Sequence, residues 1–225
     1  LLQFLHLANI SMKSDPLHSA WVRCAFGVFV WLIAQLLEFY CEMVLNLIAY
    51  GTIADAFWVI GYFPLILGFH SVVKHAMAGA ETFTGKWMLL FFSAAYVILF
   101  VFLILPQWQH PQTWGEAVLD FAYPTFDFIL LTQAFLVMKS TGSGKPLFRF
   151  ALLAQASFLL TLIGDAILSL IQNFNSFIYK SIDIYYFSCY FVLALAAEQQ
   201  AQKHRNLKHG NHGGLSTETR KARNV

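Results

Sequence analysis

The chain has 225 residues, 58% of them hydrophobic and only 12% charged, with a formal net charge of +2 and a mean hydropathy of +0.60. A soluble domain carries about 25% charged residues, so this chain lacks the polar surface to cover a water-soluble globule. Its small net charge argues against a nucleic-acid partner.

The apolar residues come in runs of about 20, the length that crosses a hydrocarbon core of about 30 Å at a rise of 1.5 Å per residue. In lipid the backbone must satisfy its own hydrogen bonds, so these runs are expected to be helices. In chain order, a partial span covers Leu1 to about Met12, and its apolar start (LLQFLHLANI) reads as the tail of a helix rather than a signal sequence. The second span runs from Trp21 to Leu45, the third from Ile53 to Val73 and the fourth from Trp87 to Leu105. The fifth runs from Ala117 to Met138, the sixth from Phe148 to Ile171 and the seventh from Phe177 to Ala197. Turn formers fall between them: Ser14-Asp15-Pro16, Gly51-Thr52, Gly79-Ala80-Glu81, Pro106 to Gly115, Ser140 to Gly144 and Asn173-Phe174-Asn175. The expectation is an all-α polytopic membrane protein with a helical domain over 1–198 and a basic, disordered tail over 199–225.

The basic residues orient the chain. Lys13 and Arg23, Lys74 and Lys86, and Lys139, Lys145 and Arg149 occupy alternate connections, and the tail adds Lys203, Arg205, Lys208, Arg220, Lys221 and Arg223. The opposite connections carry only Lys180. Basic loops stay in the cytoplasm, which places the amino end outside, the tail inside, and the protein in the plasma membrane.

An internal repeat follows from polar landmarks. Met12-Lys13-Ser14 matches Met138-Lys139-Ser140, Arg23 matches Arg149, Glu38 matches Asp165, Asp55 matches Asp183, and Tyr62-Phe63 matches Tyr190-Phe191, all at offsets of 126 to 128 residues. Repeat one covers about 1–75 and repeat two about 117–198, with a linker helix over about 86–106. An odd linker restores chain direction, so the two three-helix units are parallel repeats in a 3+1+3 layout, as in some transporter folds.

Charges inside a membrane are costly and mark candidate sites. Glu38 lies 15 residues beyond Arg23, about 22 Å along a helix, and Asp165 lies about as deep relative to Arg149. Asp55 and Asp183 stand near the outer starts of spans three and seven, and Asp127 lies within span five. Aromatics accompany them: Trp58 and Tyr62 after Asp55, Tyr186 and Tyr190 after Asp183, and Tyr123 before Asp127. These ten residues outline an outward-facing polar pocket for a small ligand, an ion or a lipid headgroup. The competing structural reading is that Tyr and Trp favour the interface and that carboxylates near helix ends cap them.

Other chemistry is less well supported. Glu38 and Glu42 share a helical face, but two carboxylates are too few for a metal site. His70 and His75 have no partner histidine at matched depth, which argues against haem. The three cysteines, Cys24, Cys41 and Cys189, lack metal-ligand spacing and read as small buried hydrophobes. No nucleophile motif, phosphate loop or nucleotide fingerprint occurs, and no cofactor is predicted.

The motif order resembles the multi-helix membrane sensor regions at the amino end of bacterial diguanylate cyclases and histidine kinases. The residues that carry the resemblance are Ala20-Trp21, Ala54-Asp55-Ala56-Phe57-Trp58 with Gly61-Tyr62, Ala122-Tyr123-Pro124 with Asp127, Ile163-Gly164-Asp165, and Asp183 with Tyr190. The resemblance covers about nine-tenths of the chain and departs at Glu38, where a Gly-Asp pair is usual. It implies a non-catalytic sensor-like or accessory subunit, working with another membrane protein or a second copy of itself. A weaker similarity, Lys145-Pro146 followed by Gly164-Asp165, points to the lysoplasmalogenase family of membrane hydrolases, which would make the protein an enzyme acting on a lipid ether. A small transporter built on the repeat is a third reading.

Overall fold

The computed structural model describes residues 1–11, 15–46, 52–78, 83–101, 114–142, 145–171 and 184–202, which form helices and their caps with no strand among them. The helices are α1 (Leu2–Ile10), α2 (His18–Met43), α3 (Ile53–Met77), α4 (Phe83–Leu99), α5 (Trp114–Thr141) and α6 (Pro146–Ile171), followed by α7 across 184–202. Four stretches are long and apolar enough to cross a bilayer: His18–Met43, Ile53–Met77, Ala117–Thr141 and Leu147–Asp165. The described parts of α1, α4 and α7 do not reach that standard; α1 has nine residues and α4 has 17.

The helices run past the apolar spans. α3 continues through Lys74 and His75 to Met77, and α5 begins at Trp114 and ends at Thr141. Helical hydrogen bonding does not stop where apolarity stops, because the end turns reach a polar layer that solvates Lys and His side chains. The turn residues at 12–14, 79–82 and 172–183, and the basic tail from 203, lie outside the described residues.

The polarity of the bundle is inside out. Leu36, Phe39, Phe63, Leu67 and Phe191 are each more than half exposed, forming apolar surface far beyond what a water-soluble monomer shows. Asp127, Ser157 and Thr161 are buried. Lipid around the outside and hydrogen bonds within account for both observations.

Close helix approach explains the principal pairing, α2 against α3. Without water to drive association, membrane helices gain from packing backbone on backbone, which small residues allow. A Cβ at Gly68 would lie 2.5 Å from the Cys24 sulfur and 3.0 Å from the Ala20 carbonyl, and one at Gly61 would strike the Trp31 ring. At one end of this pair, Arg23 Nη1 donates to Ser71 Oγ at 2.9 Å. α5 packs on α6 and on α3, and α1 lies on α2. α7 joins α6 through Ser157 Oγ donating to the Cys189 carbonyl at 2.8 Å and Tyr185 Oη donating to the Leu160 carbonyl at 2.6 Å.

The core beneath this frame is aromatic. Trp21 meets Phe150 edge-on with centroids 5.1 Å apart, and Phe69 packs on both Phe150 and Phe158. These contacts tie α2 and α3 to α6. All three cysteines are free thiols and buried.

Candidate functional site: a buried acidic and aromatic cluster

The residues of interest recur at helical spacing. On α3, Asp55, Trp58 and Tyr62 stand at i, i+3 and i+7; on α5, Tyr123 and Asp127 at i and i+4; on α7, Tyr186 and Tyr190 at i and i+4. Such spacings stack side chains on one face, and the three faces converge with α2 and α6.

Three tyrosine–carboxylate pairs join different helices. Tyr62 Oη donates to Asp127 Oδ1 at 2.7 Å, and Tyr123 Oη donates to Asp55 Oδ1 at 2.6 Å. Both link α3 with α5. Tyr186 Oη donates to Asp165 Oδ1, linking α7 with α6. The Asp127 side chain is fully buried, with Asp165 and Thr161 of α6 as neighbours; the Thr161 hydroxyl donates to the Ser157 and Phe158 carbonyls. Among the described residues, no donor reaches the second oxygens of both acids, Asp127 Oδ2 and Asp165 Oδ2, which are buried.

Four rings pack on one another and meet the acids through Tyr62. Trp31 lies 4.9 Å from Tyr62, 5.8 Å from Trp58 and 5.8 Å from Tyr190, centroid to centroid. Trp58 and Tyr190 stack at 5.9 Å. Trp31 is fixed by its indole N–H, which donates to the Trp58 carbonyl at 3.0 Å, and Tyr62 also stacks on Phe126 at 5.2 Å. Glu38 lies two turns beyond Trp31 on α2, where Gln35 Nε2 donates to it at 3.3 Å.

Asp55 also has a structural duty. Its Oδ2 accepts from the Thr52 N–H at 2.9 Å while the Thr52 hydroxyl accepts from the Ala54 N–H at 3.3 Å, a capping box at the start of α3. One oxygen caps the helix and the other accepts from Tyr123.

Of the ten residues singled out by sequence, Asp55, Trp58, Tyr62, Tyr123, Asp127, Asp165, Tyr186 and Tyr190 come together, Glu38 lies at the edge, and Asp183 falls outside the described residues. Sequence reasoning missed Trp31 and Thr161. Thr161 sits one turn before Asp165, and Trp31 sits seven residues, two turns, before Glu38; helical register from the acids would have found both.

The chemistry of the pair follows from electrostatics. Two unit negative charges about 4 Å apart repel by about 4 kcal/mol at an effective dielectric of about 20. Facing carboxyl groups in such a place hold a proton between them or a cation beside them. Among the described residues, no group of three or more His, Cys, Asp or Glu side chains is arranged to hold a metal ion.

No family model matches the chain, and neither a curated protein nor a solved structure matches it.

Proposed function

We propose that the chain is a non-catalytic, sensor-like or accessory membrane subunit whose acidic and aromatic cluster binds a small ligand or lipid headgroup. The observation that carries this reading is the Asp127–Asp165 pair, in which each carboxyl is aimed by a tyrosine from another helix and keeps one buried oxygen without a donor among the described residues. An isolated bundle gains nothing from burying such oxygens, since each costs free energy; a ligand that supplies the missing donor repays it.

The reading includes seven spans, an outer amino end and a cytoplasmic tail. The 3+1+3 repeat has support in paired contacts. Trp31 presses on Gly61, and the residues at their repeat positions, Ser157 and Cys189, are also joined. The cluster takes α2 and α3 from one unit and α5, α6 and α7 from the other, so a ligand there is placed to change how the two units sit. A partner membrane protein or a second copy would receive that change.

The facing carboxyls also favour a second reading, a hydrolase of the lysoplasmalogenase kind, because one acid can protonate an alkenyl ether while the other activates water. That reaction consumes one water and yields a fatty aldehyde and a glycerophospho-base. One experiment separates the readings. Purified protein is incubated with an alkenyl lysophosphatidylethanolamine, and both aldehyde release and tryptophan emission are followed. Binding without turnover gives an emission change that Asp127→Asn abolishes, with the lipid recovered intact. Aldehyde release that disappears in Asp165→Asn establishes the hydrolase instead.

A further inference from the structure

The geometry points to a primary ammonium group as the ligand of the Asp127–Asp165 pair. The inference rests on the binding reading above and names the chemistry that site would take.

The argument starts from what the site lacks. Asp127 is fully buried, its Oδ1 is taken by Tyr62, and its Oδ2 has no donor. Asp165 repeats the arrangement with Tyr186. Two buried acceptor oxygens, on α5 and on the adjoining α6, lack a donor among the described residues, so a ligand that serves both must bring at least two donors. It must also bring positive charge. Lys139 lies 12 residues from Asp127, Lys74 12 from Tyr62 and Arg149 16 from Asp165, about 18, 18 and 24 Å along their helices, and Arg23 is engaged with Ser71. Among the described residues, no lysine or arginine donates to Asp127 or Asp165.

The surroundings narrow the class further. Trp31, Trp58, Tyr62 and Tyr190 pack together beside the acids, and the faces of such rings attract cations. A divalent metal would want six or more oxygens, and a quaternary ammonium has no N–H for either carboxyl. A primary ammonium has three N–H donors: two for Asp127 Oδ2 and Asp165 Oδ2, and one for a ring face. With one of the two acids in its neutral form, the occupied site carries no net charge.

An ammonium group of this kind occurs on free amines and on phosphatidylethanolamine, and the test has an arm for each. The full chain is placed in phosphatidylglycerol nanodiscs at fixed pH and ionic strength. It is titrated with ethylammonium, sodium and tetramethylammonium chlorides while tryptophan emission is read. The expected result is a saturable change with ethylammonium alone, weakened at least tenfold in Asp127→Asn and Asp165→Asn and unchanged in Lys145→Gln, a substitution at an exposed position 20 residues from Asp165. In nanodiscs containing phosphatidylethanolamine, emission already at its saturated value identifies the headgroup as the source. An ethylammonium titration unaffected by that lipid identifies a free amine. Tyr62→Phe, which keeps both acids, guards against misfolding of the Asn variants and should weaken the response about threefold. An ethylammonium response no larger than that of sodium overturns the inference. If emission then follows pH alone and depends on Asp127, the pair holds only a proton. If instead an alkenyl lysophosphatidylcholine, whose headgroup has no N–H, gives an Asp127-dependent change, the binding reading survives the loss of the ammonium; if neither lipid nor amine acts, both fall.

Discussion

Tyr62 and Asp127 are 65 residues apart in the chain and 2.7 Å apart in the structure, joined by a hydrogen bond with the carboxylate fully buried. It is the central tie between the first helices and the last. Removing the hydroxyl leaves Asp127 Oδ1 without its donor. Tyr62→Phe should lower stability by about 1–2 kcal/mol, read as a shifted unfolding midpoint in mixed micelles. An unshifted midpoint would contradict the bond.

The second tie between α3 and α5 should be separable from the cap that shares its acid. Asp55→Ala loses both the Thr52 N–H and the Tyr123 hydroxyl, whereas Thr52→Ala loses only its own half of the cap. The first substitution should therefore cost more. A double-mutant cycle of Asp55→Ala with Tyr123→Phe should give a coupling of about 0.5–1.5 kcal/mol; a coupling near zero would mean that Tyr123 does not engage Asp55.

Packing of α2 on α3 depends on Gly68. A side chain there meets the Cys24 sulfur and the Ala20 backbone, whereas a Cβ at Gly115 meets nothing within 4 Å. Gly68→Val should destabilise by about 1–3 kcal/mol, and Gly115→Ala should be neutral or slightly stabilising. Thermal melts of the two variants in one detergent decide the point; equal midpoints would refute close packing at Gly68.

The three cysteines should be chemically silent. Cys24, Cys41 and Cys189 are all buried, and a thiol out of reach of water and reagent does not alkylate. Mass spectrometry after brief maleimide treatment should find no adduct on the folded protein and three after denaturation.

That silence makes orientation measurable. Lys145 and Leu45 are exposed near opposite helix ends. With the amino end outside, a membrane-impermeant maleimide should label Leu45→Cys in intact cells and Lys145→Cys only in inverted vesicles. The reverse pattern would invert the topology.

Much of this architecture was legible because a membrane makes polarity expensive. Each acid within an apolar run had to have a reason, and Asp55, Asp127 and Asp165 proved to share one place. The helical spacing of Trp58 and Tyr62, and of Tyr186 and Tyr190, marked the faces that turn inward. Trp31 was legible only through register: an aromatic in an apolar run costs nothing facing lipid or core, so composition does not assign its side, whereas its place two turns before Glu38 does. The pairing of Asp127 with Asp165 was hidden. It depends on how α5 meets α6, a packing relationship that neither helix's own sequence encodes. The helix ends differed from the apolar spans because hydropathy records where lipid stops, whereas the backbone coils on into the polar layer.

The cluster draws on α2 and α3 for Trp31, Trp58 and Tyr62 and on α5 for Asp127, which bears on biogenesis. A ribosome adding about 5–20 residues per second needs about 3 to 13 s to make the 65 residues from Tyr62 to Asp127. For that interval the newborn α3 carries a tyrosine hydroxyl and the Asp55 carboxylate with no α5 to receive or supply their hydrogen bonds. The insertion machinery must either shelter this helix beside its water-filled passage or hold it near the headgroups until its later partner arrives.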